Sequence, residues 1–320
     1  MSRPNQPHPL GRARPVRWAA LLAVNVFGAF CYLGIEIGLR DAGPLTFGGT
    51  RALIGGSVLL GVAAAARQPI RPARSDLGPL LGLGLVATTL TYGAMFGSPA
   101  LMEAGLASVL GNLQPLVIVV LGAAVLHEPL TPRKLLAVGV GFAGVLLIVS
   151  PTFRSGAGAP GLGAALALAA SAGAAGGSIL IKLLRLRTGL VATTGWQLLL
   201  GSVPLLAAGA LLEGAPVQPW SDRFWAVLLG LALLGTAVPT TLWFWLLRDE
   251  DAGDLAPFLF LTPALALVAD VAWMGGSVTT VQAAGVFVVL AALLALSRGP
   301  AAREVGPRAR APAPRSEGLR

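Results

Sequence analysis

The sequence is poor in charged residues, cysteine and histidine. Only 12% of its 320 residues are charged, which is about half the share carried by a soluble domain. The single cysteine, Cys31, has no partner in the chain, so an intramolecular disulfide is excluded. The two histidines, His8 and His127, belong to no cluster with ligand spacing, which argues against a histidine-based metal site.

Long apolar runs make up most of the chain. Hydrophobic residues account for 55% of the sequence, and a helix needs about 20 apolar residues in succession to cross a bilayer. We therefore predict an all-α membrane protein with ten transmembrane helices, flanked by disordered basic tails at 1–16 and 298–320. The predicted spans are 17–39, 43–66, 77–98, 101–126, 133–150, 161–183, 188–212, 222–247, 253–275 and 279–297.

The formal net charge of +9 does not indicate nucleic-acid binding, because the basic residues form no stripe on a folded surface. They lie in both tails and in alternate loops, whereas the opposite side of the membrane receives only Arg40, Arg154 and Arg223. Cytoplasmic loops carry the excess of lysine and arginine in membrane proteins. We therefore expect both termini in the cytoplasm and no nucleic-acid partner.

The chain contains an internal repeat. Residues 105–131 match 253–279 at a constant shift of 148 residues, which places Pro115 on Pro263. The halves are predicted as 17–150 and 161–297, each with five spans. An odd number of crossings per half inserts the two halves upside down relative to each other. Each proline removes a backbone hydrogen bond within its span, so the pair predicts two bent helices around a central cavity; tolerated packing kinks are the alternative.

The strongest local pattern runs from Gly105 to Gly144, with a proline inside an apolar run, then Glu-Pro-Leu-Thr from Glu128, then a glycine-rich helix. With the doubled layout and Arg51 in the segment GGTRALIGG, it resembles the EamA-type proteins of the drug/metabolite transporter superfamily. The resemblance implies a carrier of the bacterial inner membrane, often an exporter of amino acids or other small metabolites. The sequence departs from the family pattern at Gly276, which stands opposite Glu128, and at Phe30-Cys31, where Trp-Gly is common.

Ionisable side chains inside membrane spans are costly and point to function. Glu36 and Arg51 fall in the outer parts of spans one and two, and a shift of 146 residues places Lys182 and Gln197 on them in the second half. These positions predict two symmetry-related polar gates. The alternatives are snorkelling of Glu36 and Lys182 to the membrane surface and a packing role for Arg51. Asp270 lies deep enough in span nine to need a partner or a proton, so it is a candidate for coupling or for a structural hydrogen bond.

Uncharged polar and aromatic residues near the middle of the spans are candidates for lining the cavity. A tryptophan at the end of a span is also typical of the membrane-interface belt, so both interpretations stay open for the tryptophans. The cavity-lining candidates are Tyr92, Asn112, Gln114, Trp196, Gln197 and Trp243.

These patterns predict a secondary active transporter in the lipid bilayer that exports amino acids or related small molecules by alternating access, with protons as the coupling ion. No cofactor is expected, because the G-x-x-x-x-G-K-[ST] motif of ATP sites is missing. Efflux of lipophilic cations or drugs is the alternative. An intramembrane enzyme would need converging acids, histidines, serines or cysteines that the spans do not offer, and a non-transporting scaffold would show no cargo flux. A homodimer is left open.

Overall fold

The computed structural model describes residues 14–98, 101, 109–150, 160–184, 186–214, 220–274 and 278–297. Within these residues all regular secondary structure is helical, which confirms the predicted all-helical class. We number the helices α1 to α10 in chain order. They are Arg14–Gly38, Pro44–Ala65, Arg74–Gly97, Gln114–Leu126, Pro132–Val149, Pro160–Leu183, Leu190–Leu212, Asp222–Asp249, Leu261–Met274 and Thr280–Ser297.

Eight of the described helices, α2 to α9 with their helical extensions, are long and apolar enough to cross a membrane. The apolar stretches found in α1 and α10 are shorter, at Pro15–Cys31 and Thr280–Ala295. Helix α1 begins at Arg14, inside the segment 1–16 that the sequence predicts as a tail. Proline fits the first turn of a helix, where no backbone donor is lost, so Pro15 is compatible with this earlier start.

The two halves contact each other mainly through equivalent helices, since α2 packs along α7 and α5 packs along α10. Glycines make these contacts close. A Cβ atom on Gly56 would lie 2.7 Å from the carbonyl oxygen of Gly195, and one on Gly144 would lie 2.9 Å from that of Gly285. Small residues let the backbones of membrane helices approach in this way, so van der Waals contact between backbones holds the halves together.

Helices α3 and α8 each contain a π-helical segment, at Leu85–Leu90 and at Leu233–Ala237. The two segments begin 148 residues apart, so they occupy equivalent places in the two halves. Thr88 and Thr236 lie within them and are both fully buried. Since π-helical turns in proteins are frequent at functional sites, these segments mark where the site should be sought.

The helical hydrogen bonding is interrupted ahead of both predicted bend prolines. Before Pro115, the amides of Asn112 and Leu113 bond to carbonyls only three residues back, and α4 starts at the next residue. Before Pro263, the chain forms the 3-10 segment Ala256–Phe260. Both prolines therefore lie in the first turn of a helix that follows an irregular segment.

Candidate functional site

A cavity of about 170 Å³ lies between α1, α3, α8 and α9. Helix α1 contributes Gly28, Cys31 and Ile35, and the π-helical segment of α8 contributes Gly235. Met95 of α3 and Thr262 of α9 complete the lining. The cavity is thus mostly apolar, with the Thr262 hydroxyl and the Cys31 thiol as its polar side-chain groups.

Arg51 of α2 lies beside this cavity and is only 2% exposed. Its Nε donates to the Thr236 hydroxyl at 2.5 Å, and its Nη2 donates to the carbonyl oxygen of Gly235 at 3.3 Å. The guanidinium carbon lies 5.1 Å from the ring centre of Tyr92 and 6.0 Å from that of Phe96. The structure therefore brings two predicted site residues, Arg51 and Tyr92, together at the π-helical segment of α8.

The second half repeats the same contact with different chemistry. Gln197 of α7, which matches Arg51 at the shift of 146, accepts a hydrogen bond of 2.8 Å from the hydroxyl of Thr88. Thr88 matches Thr236 at the shift of 148. The same contact therefore occurs twice: α2 is joined to the π-helical segment of α8, and α7 is joined to that of α3. Only the first of these contacts uses a charged group.

The place that matches the cavity in the second half is filled. Met95, which lines the cavity, corresponds to Trp243, and Trp243 is 7% exposed and donates from Nε1 to the Ser178 hydroxyl at 3.0 Å. Gly177, which corresponds to Cys31, packs so tightly that an added Cβ would lie 2.5 Å from the Cβ of Ala87. Among the described residues, the larger indole and this close helix contact therefore occupy the place where the first half has its cavity.

A polar contact between α1 and α9 borders the cavity. The Thr262 hydroxyl donates to Asn25 Oδ1 at 2.8 Å, and Asn25 Nδ2 donates to the Leu21 carbonyl at 2.7 Å. The matching residue on α6, Ser171, contacts the carbonyl of Leu110 on the equivalent side at 2.6 Å. We did not predict Asn25 or Thr262 from the sequence. For Asn25 the sequence did contain a signal: the shift of 146 pairs it with Ser171, and both are polar residues in otherwise apolar spans.

At one end of the bundle, charged residues form a network that we call the charged cluster. Glu128, whose side chain is only 7% exposed, pairs with Lys182 at 3.2 Å. The same carboxylate accepts hydrogen bonds from the amides of Ala252 and Gly253 at 2.8 and 2.9 Å. The cluster consists of Arg17, Glu128, Lys134, Lys182, Glu250, Asp251 and Asp254.

The remaining pairs of the charged cluster tie the segment between α8 and α9 to the rest of the molecule. Lys134 lies 3.3 Å from Asp251 and 3.1 Å from Asp254, and Arg17 lies 2.6 Å from Glu250. Lys182 also donates to the backbone carbonyl of Glu250. Helices α1, α5 and α6 are therefore all joined to one short segment of the second half, and separating them requires breaking several ion pairs together.

Glu250 should make the stability of the protein depend on pH. Burial raises the pKa of the Glu250 carboxyl, and the Arg17 guanidinium offsets only part of this shift. A carboxyl with a raised pKa binds its proton more tightly in the folded state than in the unfolded state. Its stabilising effect therefore grows as pH falls through the raised pKa and is complete below the unfolded value.

We expect the melting temperature of the purified protein to rise relative to that of Glu250→Gln as pH is lowered from about 8 to about 5. Taking the difference between the two proteins removes the contributions of titrating groups that do not interact with Glu250. A difference that stays constant over this range would contradict the assignment.

The other predicted site residues lie in different surroundings. Trp196 donates from Nε1 to the Ile70 carbonyl at 2.7 Å, in the loop after α2, and Lys182 belongs to the charged cluster. Gln114 begins α4 and is half-buried, as is Asp270 on α9. None of these four is among the described residues that line the cavity. Asn112 lies in the turn before α4, and the side chain of Glu36 on α1 lies outside the described residues.

A bundle of apolar helices in two equivalent halves, with a cavity bordered by buried polar groups, defines a multi-pass membrane protein of the transporter class. The chain belongs to the EamA-like transporter family, whose sequence profile matches residues 16–150 and 161–298. The family resemblance that the sequence indicated is thereby confirmed. The two matched segments cover both repeats, so the protein is a small-molecule transporter built from two EamA units.

Named relatives agree with this class. The chain is 29% identical over 283 residues to the "Probable amino-acid metabolite efflux pump" of Salmonella typhimurium, covering 86% of this chain and 92% of that protein. It is 25% identical over 254 residues to the "Uncharacterized transporter YoaV" of Bacillus subtilis, covering 77% and 85%. A solved crystal structure superposes with a TM-score of 0.76 at 16% identity, covering 88% of this chain and 96% of the other. That superposition establishes a shared fold.

Proposed function

We propose that the protein is a secondary active exporter of amino acids or related small metabolites in the bacterial inner membrane. In this proposal ten helices cross the bilayer as two inverted halves, and both termini lie in the cytoplasm. Cargo moves by alternating access, and a proton gradient drives its export.

The unequal packing of the two halves is the observation that carries this proposal. The cavity lies between α1, α3, α8 and α9, while the matching place between α6, α8, α3 and α4 is filled by Trp243 and by the contact of Gly177 with Ala87. Inverted repeats allow two such arrangements to exchange, so that the site opens to one side of the membrane at a time. The described arrangement then corresponds to one of the two states.

The charged cluster supports the same interpretation. With the termini in the cytoplasm, Glu128, Lys134, Lys182 and the segment after α8 all lie at the cytoplasmic end. Their ion pairs close that end of the bundle, whereas the cavity reaches towards the other end along α1 as far as Ile35. In this proposal the arrangement described is the one that opens towards the outside.

The size of the cavity supports a small cargo. Its volume of about 170 Å³ is below the 300–1,000 Å³ that is usual for sites of drug-sized ligands. Two relatives, from Salmonella typhimurium and Escherichia coli, carry the name "Probable amino-acid metabolite efflux pump". Both observations favour small metabolites over lipophilic drugs.

The proposal is tested by comparing the metabolites released by cells that produce the protein with those released by cells that lack it. The compound that accumulates outside is then loaded into proteoliposomes with an imposed pH gradient. We expect the gradient to accelerate its release, and we expect Asp270→Asn to remove this acceleration if Asp270 carries the coupling proton. A release rate that does not change with the pH gradient would rule out proton coupling. No release at all would rule out transport of that compound.

A further inference from the structure

We propose that Arg51 binds the carboxylate of the cargo, so that the cavity selects small organic acids, amino acids included, over amines and cations. The proposal rests on the proposed function and names the substrate class of its site. Three observations carry it: the surroundings of the guanidinium, its contact with the cavity wall, and the neutral residue at the equivalent position of the other half.

The first observation is that the described partners of Arg51 are all uncharged. The guanidinium stays protonated in proteins, and a buried charge is costly without an opposite charge or a full set of hydrogen bonds. Here it contacts a hydroxyl, a backbone carbonyl and two aromatic rings, on Thr236, Gly235, Tyr92 and Phe96. Its Nη1 is buried and has no hydrogen-bond partner among the described residues. A ligand carboxylate would supply both the missing acceptor and the missing charge.

The second observation is that this guanidinium borders the cavity wall. Gly235 accepts a hydrogen bond from Nη2 of Arg51 and also lines the cavity. Cys31, another lining residue, has its sulfur atom 3.4 Å from the place where a Cβ on Gly235 would be. Gly235 thus contacts the guanidinium through its carbonyl oxygen and also faces the cavity, so Arg51 lies directly behind this part of the wall.

The lining of the cavity fits the rest of such a ligand. Ile35 and Met95 offer apolar surface for a short aliphatic group. The Thr262 hydroxyl uses its hydrogen on Asn25, so its oxygen keeps acceptor capacity for an ammonium group. A small zwitterionic amino acid satisfies both ends of the site, whereas a lipophilic cation would place its charge next to Arg51.

The third observation is the comparison of the halves. Where the equivalent space is filled by Trp243, the residue that matches Arg51 is the neutral Gln197, and its amide oxygen is satisfied by Thr88. Charge is therefore present on the side of the described cavity, and a neutral group stands on the side where Trp243 packs. A role in packing alone would not require this difference, because both residues join the same pair of elements.

The test measures binding with matched pairs of probes. The purified protein is melted with increasing L-alanine, L-valine or L-leucine, and with the corresponding carboxamides, which have the same shape but no carboxylate. Ligands that bind only the folded state raise its melting temperature, and at equal concentration the tighter ligand raises it more. We expect at least one amino acid to bind about tenfold or more tightly than its amide, because the charge-assisted hydrogen bond to Nη1 is lost with the carboxylate.

Two variants of Arg51 and one control complete the test. Arg51→Gln should remove the preference for the acid, and Arg51→Lys should keep part of it, since the charge remains while the planar array of guanidinium donors is lost. Arg223→Gln makes the same change at an exposed arginine of α8 and should leave the preference unchanged. Should Arg51→Gln fail to fold, the comparison of acids with amides in the unmodified protein and in Arg51→Lys still decides the question.

The outcomes separate this proposal from the proposed function. Equal affinity for acids and amides, no binding by any of the acids, or an unchanged preference in folded Arg51→Gln would overturn the carboxylate site while leaving export untouched. Binding of acids that depends on Arg51, together with no flux in proteoliposomes, would overturn the export function and leave the carboxylate site standing.

Discussion

Gly201→Val is expected to remove most of the folded protein from the membrane. A Cβ atom at Gly201 would overlap the carbonyl oxygen of Gly84 and lie 2.5 Å from the Cβ of Thr88. Both obstacles are on α3, and the first is backbone, so no side-chain rotation relieves the overlap. Overpacking of a well-packed core costs about 1–3 kcal/mol, and we expect a cost at or above the upper end because α3 itself must move.

The expected loss also includes two polar contacts. The Gly201 carbonyl accepts a hydrogen bond from the Thr89 hydroxyl at 2.7 Å, and Gln197, one turn earlier on α7, accepts from Thr88. Displacement of α3 would break both inside the membrane, where no water replaces them. The amount of monodisperse protein after detergent extraction measures the effect.

Gly61→Val is the matched control, because nothing lies within 4 Å of a Cβ at Gly61 on α2. It should give a normal yield. Gly55→Ala tests the equivalent contact of the first half, where the added Cβ would lie 2.9 Å from the carbonyl oxygen of Ala232, and a milder loss is expected there. Equal yields of Gly201→Val and Gly61→Val would contradict the described contact between α3 and α7.

Glu128→Ala is expected to cost up to about 3 kcal/mol in the free energy of unfolding, the lower end for removing one member of a buried ion pair, because Lys182 stays partly exposed. The carboxylate serves both Lys182 and the first two amides of the segment that leads into α9. Its loss leaves the half-buried ammonium group of Lys182 without its opposite charge and the two backbone donors without their acceptor. We therefore expect a lower melting temperature and a loosened charged cluster.

Glu213→Ala provides the comparison, because Glu213 caps α2 in the same manner. Its two oxygens accept hydrogen bonds from the amides of Leu45 and Thr46, at 2.6 and 2.8 Å. Loss of a helix cap without loss of a buried ion pair costs about 1 kcal/mol. The melting temperature should therefore fall less in Glu213→Ala than in Glu128→Ala, and the reverse order would show that the pair with Lys182 contributes little.

The repeat in the sequence predicted much of what the structure contains. The shift of 148 that places Thr88 on Thr236 also places one π-helical segment on the other, and the shift of 146 places Gly55 on Gly201. The sequence shows these matches because close packing of helices in a membrane needs small or polar residues at the contact positions, and both halves keep such residues at the same places. The helices themselves follow from the length of the apolar runs.

The cavity and the charged cluster did not follow from the sequence in the same way. Whether space is left between helices depends on the size of single residues, such as Met95 in one half and Trp243 in the other, once the helices have met. Lys182 was predicted as an equivalent of Glu36, but its contact with Glu128 joins distant parts of the chain. Such pairings are set by tertiary packing. The contact between Lys182 and Glu128 is not repeated in the other half, so the sequence gives no signal for it.

The side from which Cys31 can be reached tests the central claim most directly. Cys31 is the chain's one cysteine and lines the cavity, so the unmodified protein can be labelled with a membrane-impermeant thiol reagent. We predict labelling from the outside in intact cells, little labelling in inverted vesicles, and increased labelling in inverted vesicles when Lys182→Glu disrupts the charged cluster. Labelling that is equal from both sides, or confined to the cytoplasmic side in the unmodified protein, would contradict a cavity closed at the cytoplasmic end.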